Sequence, residues 1–260
     1  MDSIVKKTKH GDLWDRYWEK KANTRKVYSN EGRISDNIGR MTAVSGMTAL
    51  EVGAGTGRDS VDLAKKGATV VVLDKSFKAM EIIRNVMGGE GVDLQLVIGD
   101  VVSLPFTSNC FQLVFHQGLL EHFYNPLSIL RENYRVLRKG GYILVDVPQR
   151  YHPYTVVKHA LMMLDRWFAG WETEYTIGSL STIITDAGFD NIVHKYGVWM
   201  NPSFFYRSLR EVLLGFGIEL PMYPAAPHTL RKIRAFLRDR AAKSRMSFYT
   251  YHTIGIIAKK

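Results

Sequence analysis

Between residues 47 and 147, short β-branched runs alternate with longer amphipathic stretches, and this alternation constrains the fold more than any other feature of the chain. "MTALEVG" (47–53), "TVVVLD" (69–74), "LQLVIGD" (94–100), "FQLVFHQG" (111–118) and "GYILVDVP" (141–148) read as strands. Between them, "RDSVDLAKKG" (58–67) reads as a helix stopped by Gly67, and "SFKAMEIIRNVMGG" (76–89) as a helix closed by its glycines. "PLSILRENYRVLRKGG" (126–141) reads as a helix running from proline to Gly140–Gly141. Strands joined through helical crossovers pair in parallel, so the expectation is an α/β sheet with helices on both faces.

Past residue 147 the pattern changes. "YTVVKHALMMLDRWFAG" (154–170) carries apolar residues at 156, 157, 160, 161, 164, 167 and 168, a helical stripe. "TIGSLSTIITDAGF" reads as a further helix, stopped by Gly188, and residues 191–200 and 247–260 read as strands. The 46 residues between those strands are rich in proline, aromatics and arginine, with helices expected near 203–215 and 228–243. The layout expected is one domain over 1–260: an N-terminal helical segment (1–45), a core (46–200), a helical insertion (201–246) and a last strand (247–260).

Charge is unevenly placed. Of the net +10, residues 200–260 contribute +8, with 11 basic and 3 acidic residues, while residues 26–199 are nearly neutral. "TLRKIRAFLRDRAAKSR" (229–245) concentrates seven of those cations beside an apolar stripe of Leu230, Ile233, Phe236, Leu237 and Ala241. Such a segment suits an anionic membrane surface, RNA or a phosphorylated substrate, or is simply a solvated face. The N-terminus "MDSIVKKTKH" lacks a signal-peptide core, no apolar run is long enough to span a bilayer, and Cys110 is the only cysteine. The expectation is a cytoplasmic protein, with peripheral membrane contact open.

The first strand runs into "LEVGAGTGRDS" (50–60). Glycines at every second position let the backbone approach a ligand, with the following helix directing its N–H groups at it. A dinucleotide fingerprint, G-x-G-x-x-G, would need its third glycine at position 58, which is Arg58.

The pattern Glu51-Val52-Gly53-Ala54-Gly55-Thr56-Gly57 resembles the closing motif of the first strand in class I S-adenosylmethionine (SAM) dependent methyltransferases, and matches it at every position. "IGDVVSLPF", "LPFTSNCFQLVFHQGLLEHF" and "ILRENYRVLRKGGYILVDVP" are similar to later segments of the subgroup related to ubiquinone and menaquinone methyltransferases. Two positions depart from the family: Gln112 replaces a frequent Asp, and Lys139 replaces the proline of Pro-Gly-Gly. The resemblance implies a Rossmann-like, seven-stranded, mostly parallel sheet with an antiparallel last strand, and a helical lid made by the insertion. It implies SAM as cofactor and S-adenosylhomocysteine as product. Gly53, Ala54, Gly55 and Gly57 would meet the methionine part, and Asp74, followed by Lys75, the ribose hydroxyls. Asp100 and the Val101 N–H would meet the adenine, and Glu51 and the Gln117 carbonyl the ammonium. Tyr17, in "YWEKK", and "EGR" (31–33) resemble the segment that closes over the cofactor.

The acceptor is a small or lipid-like molecule on this reading, with an RNA methyltransferase or RNA-binding protein as the alternative and a non-catalytic SAM-binding module as a third. "QGLLEHF" stands where base-directed amino methyltransferases carry "D/N-P-P-Y/F", which places nucleic acid second. His122 and His152 are the candidate bases, and Arg150, Tyr151, His152 and Tyr154 form a polar, aromatic loop for acceptor. His116, inside an apolar strand, reads as a satisfied core histidine.

Overall fold

The computed structural model describes residues 8–20, 32–167, 169–225, 227–242 and 244–260. The chain begins with α1 (Thr8–Lys20) and α2 (Arg33–Gly39), then runs β1 (Thr48–Val52), α3 (Arg58–Lys65), β2 (Thr69–Asp74), α4 (Phe77–Glu90), β3 (Gln95–Ile98) and β4 (Phe111–Gln117). It continues with α5 (Pro126–Val136), β5 (Leu137–Pro148), α6 (Pro153–Met163), α7 (Ile177–Asp186), β6 (Asn191–Val198), α8 (Phe204–Gly215), α9 (His228–Ala242) and β7 (Thr253–Lys259). The strand order is β3-β2-β1-β4-β5-β7-β6. All neighbours pair in parallel except β7, which is antiparallel to both β5 and β6. This is the Rossmann-like, seven-stranded, mostly parallel sheet with an antiparallel last strand that the sequence implied.

The period of two along each strand builds the two sides of the core. In β5, Ile143, Val145 and Val147 pack on one face and Leu144 on the other; in β4, Val114 and the pair Leu113 and Phe115 divide the same way. Each of these side chains is fully buried, which at about 1.5–3 kcal/mol apiece makes the sheet the main source of stability. Chain order reverses between β1 and β4, and the C-terminal ends of these strands form the switch point at which sheets of this kind bind ligands.

Several boundaries differ from expectation. The helix from 76 passes through Gly88 and Gly89 and ends at Gly91, whose φ of 66° makes the left-handed stop. α5 ends at Val136, not near 140, because the carbonyls of Arg135 and Val136 are taken by the amides of Asn109 and Cys110, which starts β5 at Leu137. α6 stops at Met163, not 170, and Asp165 takes a φ of 52°. The last strand covers only 253–259 of the expected 247–260, because a 3-10 turn over Arg245–Tyr249, capped by Ser244, precedes it. α6 also turns its apolar stripe outward: Val156, Val157, Ala160 and Leu164 are exposed, whereas Thr155 and Lys158 are buried. Among the described residues, no helix is long and apolar enough to cross a membrane.

Candidate functional site

The turn between β1 and α3 carries Gly53, Gly55 and Gly57 at φ 68°, 57° and 64°. At Gly55 a Cβ would stand 2.5 Å from Cζ2 of Trp18, so the absence of a side chain lets the α1 indole lie directly on the backbone. Asp74, at the end of β2, faces this turn. Its Oδ2 accepts the Gly55 amide at 3.1 Å and its Oδ1 the Ser76 amide at 2.9 Å. Lys75 is exposed, and Ala54 contributes its carbonyl to the Gly57 amide at 3.0 Å. Asp15 of α1 accepts from Ser76 Oγ and, at 3.2 Å, from the Lys78 amide, which fastens α1 over the N-terminus of α4. Asp100 caps its own turn, accepting the Val102 amide at 3.1 Å, beside buried Val101.

Beneath the turn lies a nest of acids. Glu51 is buried and accepts from Ser60 Oγ; burial, then the neighbouring Asp59 carboxylate, push its pKa well above the usual carboxylate range. Burial also raises Asp59 and Asp74. Gln117 Nε2 donates to Asp59 Oδ2 at 2.6 Å, and Gln117 Oε1 accepts from the Arg33 guanidinium. Arg33 Nε lies 2.8 Å from Asp146 Oδ2, and Tyr196 donates its hydroxyl to Asp146. Sequence reasoning reached residues 31–33 as a closing segment, but not Asp59, Asp146 or Tyr196. An acid in an apolar strand ("ILVDVP") was the available signal.

A second polar cluster sits past the end of β4. Lys158, 1% exposed, donates to Glu172 Oε2 at 2.6 Å, and Trp167 Nε1 donates to Glu172 Oε1 at 2.6 Å. His122 Nδ1 is 3.6 Å from the same Oε1. Trp14 of α1 meets the His122 ring edge-on at 4.8 Å, and burial followed by the Glu172 charge raises Tyr17. Glu121 is buried; burial lifts its pKa to about 8, and Oε2 has no partner among the described residues. His116 is buried as expected, yet neither ring nitrogen has a hydrogen-bond partner there, and burial lowers its pKa to about 3.

A cavity of about 720 Å³ opens beyond the start of α6, lined by His152, Trp199, Phe204, Phe205, Ile233 and Leu237, with Arg234 and Arg238 among its walls. His152 Nδ1 accepts the Tyr154 amide at 3.2 Å as the N-cap of α6. Tyr154 lies edge-on to Phe204 and to His252, whose pKa burial depresses to about 3. Of the loop expected to meet acceptor, His152 lines the cavity and Tyr154 touches its wall, while Arg150 and Tyr151 are exposed outside the lining.

Comparison with known proteins agrees with this fold. Residues 50–145 match the family described as "Methyltransferase domain". A demethylmenaquinone methyltransferase of Renibacterium salmoninarum is 34% identical over 112 residues, 43% of this chain and 44% of that protein. A ubiquinone biosynthesis O-methyltransferase of Parvibaculum lavamentivorans is 26% identical over 160 residues, 59% of this chain and 62% of that one. The chain thus spans about half the length of these curated relatives. A solved structure titled a putative sarcosine dimethylglycine methyltransferase, from Galdieria sulphuraria, superposes with a TM-score of 0.61 over 87% of this chain and 83% of that one, at 14% identity, a likeness of fold. The match to the methyltransferase-domain family lies on residues 50–145, and the sheet that carries them has the fold of solved SAM-dependent methyltransferases.

Proposed function

We propose that this protein transfers a methyl group from SAM to a small, lipid-like acceptor, leaving S-adenosylhomocysteine. The observation that carries the reading is the charge at the glycine turn. Glu51 and Asp59 are buried there beside a half-buried Asp74, and desolvation raises the pKa of all three. A ligand bringing a sulfonium and an ammonium relieves that cost, whereas the pyrophosphate of a dinucleotide adds to it. The donor set fits SAM: the backbone at Gly53, Ala54, Gly55 and Gly57 and the carboxylate of Glu51 for the methionine part, with the Gln117 carbonyl beside the ammonium. Asp74 serves the ribose diol, and Asp100 with the Val101 N–H the adenine. Tyr17 closes the site from α1. The cofactor supplies a methyl group already activated on sulfur, so the protein's task is alignment and, for a hydroxyl acceptor, proton removal.

The two candidate bases differ in tautomer. The Nδ1 lone pair of His152 is used in capping α6, so its ring proton sits on Nε2, which can donate but not accept. His122 Nδ1 lies 3.6 Å from Glu172 Oε1, and that carboxylate favours the tautomer with the ring proton on Nδ1 and Nε2 as the basic nitrogen. Lys158 and Trp167 hold Glu172 in place. His122 is therefore the base of this reading, and His152 an acceptor-binding residue in the cavity wall. The apolar lining of the cavity supports a lipid-like acceptor, as do the quinone-related names of two relatives.

Calorimetry tests the cofactor assignment directly. SAM and S-adenosylhomocysteine bind and NADH does not, and Asp74→Ala weakens SAM binding by at least about tenfold, the cost of one charge-assisted contact. Binding of NADH in preference to SAM overturns the assignment.

A further inference from the structure

We infer that the lid docks on an anionic lipid bilayer through the outer faces of α8 and α9. α8 buries none of its twelve residues. Yet Phe205, Leu209 and Val212 lie at helical spacing along it, with Phe216 continuing the stripe at its C-cap, and they are 75%, 51%, 59% and 78% exposed. On α9, Ile233, Phe236 and Leu237 are likewise exposed. Soluble surfaces tolerate scattered apolar side chains, but a contiguous stripe on a helix marks an interface.

Charge selects the occupant. Residues 200–260 carry a net +8, and α9 interleaves Lys232, Arg234, Arg238 and Arg240 with its apolar side chains. A second copy of the chain would bring the same positive charge against this face, whereas anionic headgroups neutralise it and the acyl layer takes the stripe. RNA fits less well. The arginines of α8 are turned to the chain's own carbonyls, Arg207 to Asn201 and Pro202 and Arg210 to Leu220, rather than outward for phosphates.

The cavity mouth belongs to this surface, since Phe205, Ile233 and Leu237 are both exposed and part of its lining. An apolar acceptor therefore enters from the bilayer without crossing water. That last step rests on the methyl-transfer reading, but docking itself does not.

The test is flotation of the purified chain, without cofactor or acceptor, on vesicles of phosphatidylcholine alone or with one-third phosphatidylglycerol. Binding to the anionic vesicles is expected to be at least about tenfold tighter and to weaken with salt. Leu209→Glu with Val212→Glu abolishes it. Lys232→Gln and Arg240→Gln each weaken it about fivefold. All four side chains are exposed and none lines the cavity, so the fold and SAM binding by calorimetry are unchanged in these variants. Three results overturn the inference: no flotation on anionic vesicles; flotation indifferent to the glutamates; or sedimentation showing that the glutamates dissociate a dimer, which makes the stripe a self-interface. Retention on single-stranded RNA in place of vesicles assigns the surface to nucleic acid and overturns it as well. Failure of SAM binding in the calorimetric test leaves the docking result standing, so the two ideas fail separately.

Discussion

Lys158→Met separates the roles of packing and charge in the cluster behind the proposed base. Lys158 is 1% exposed and its ammonium lies 2.6 Å from Glu172 Oε2; Glu172 itself is 6% exposed. Methionine keeps most of the aliphatic length, so little apolar contact is lost. What goes is the countercharge, which leaves the Glu172 carboxylate with the Trp167 indole N–H and the more distant His122 ring. Removing one member of a buried pair costs about 3–5 kcal/mol, because the other charge stays desolvated. In a domain of this size that lowers the melting temperature by roughly 6–20 °C. Urea denaturation followed by circular dichroism measures it. The double variant Lys158→Met/Glu172→Leu recovers much of the loss, since no unpaired charge remains, and the cycle returns a coupling of at least about 2 kcal/mol. Glu172→Gln alone lowers kcat for a hydroxyl acceptor while leaving the SAM dissociation constant in place, because it acts through His122. A Lys158→Met protein within about 1 kcal/mol of wild type, or a double variant whose loss equals the sum of the singles, refutes the account of this pair.

Glu121 gives a pH signature. Its folded pKa of about 8 lies above the unfolded carboxylate value, so the native state holds the extra proton between those values and stability falls as pH rises from near 5 to 8. Glu121→Gln removes this contribution, up to about 1.4 kcal/mol per pH unit, and a wild-type stability profile as flat as that of the variant contradicts it. Gly255→Ala tests the packing of the Asp146–Tyr196 pair, since its Cβ would fall 2.2 Å from Asp146 Oδ1 and 2.3 Å from Tyr196 Cζ. A loss of about 1–3 kcal/mol is expected in denaturant titration, and a neutral result shows that the β5–β7–β6 contact yields more easily than its geometry implies.

The strands of the sheet could be read from sequence because each is a β-branched run set off by a turn. β2 falls on 69–74, as its alternation with the flanking glycine and acid indicated. The α5–β5 junction could not, because "VLRKGG" continues a helical composition. Only the amides of Asn109 and Cys110, some 26 residues away in the chain, decide where the helix stops. The donor side of the site divides along the same line. The glycines and Asp74 lie within 21 residues of one another, and the Asp74 carboxylate meets the Gly55 amide, so their spacing is legible as one local pattern. Arg33 and Asp146 are 113 positions apart, and no local pattern joins them.

The acceptor side shows why periodicity misleads where it is strongest. In "YTVVKHALMML" the apolar residues recur at helical spacing, which ordinarily marks the face that packs on the core. Here the helix is turned the other way: Lys158 and Thr155 go inward and Val156, Val157 and Ala160 go outward. The inward side is decided by a salt bridge to Glu172 and by the Thr155 hydroxyl, which donates to the Gln149 carbonyl at 2.7 Å. Both are partners that only the fold supplies. A periodic stripe establishes that a helix has an apolar face; it does not say whether core, cofactor or lipid covers it. Where two further helices, α8 and α9, leave their stripes exposed beside a basic surface, an outside partner follows from the energetics more directly than a failure of packing does.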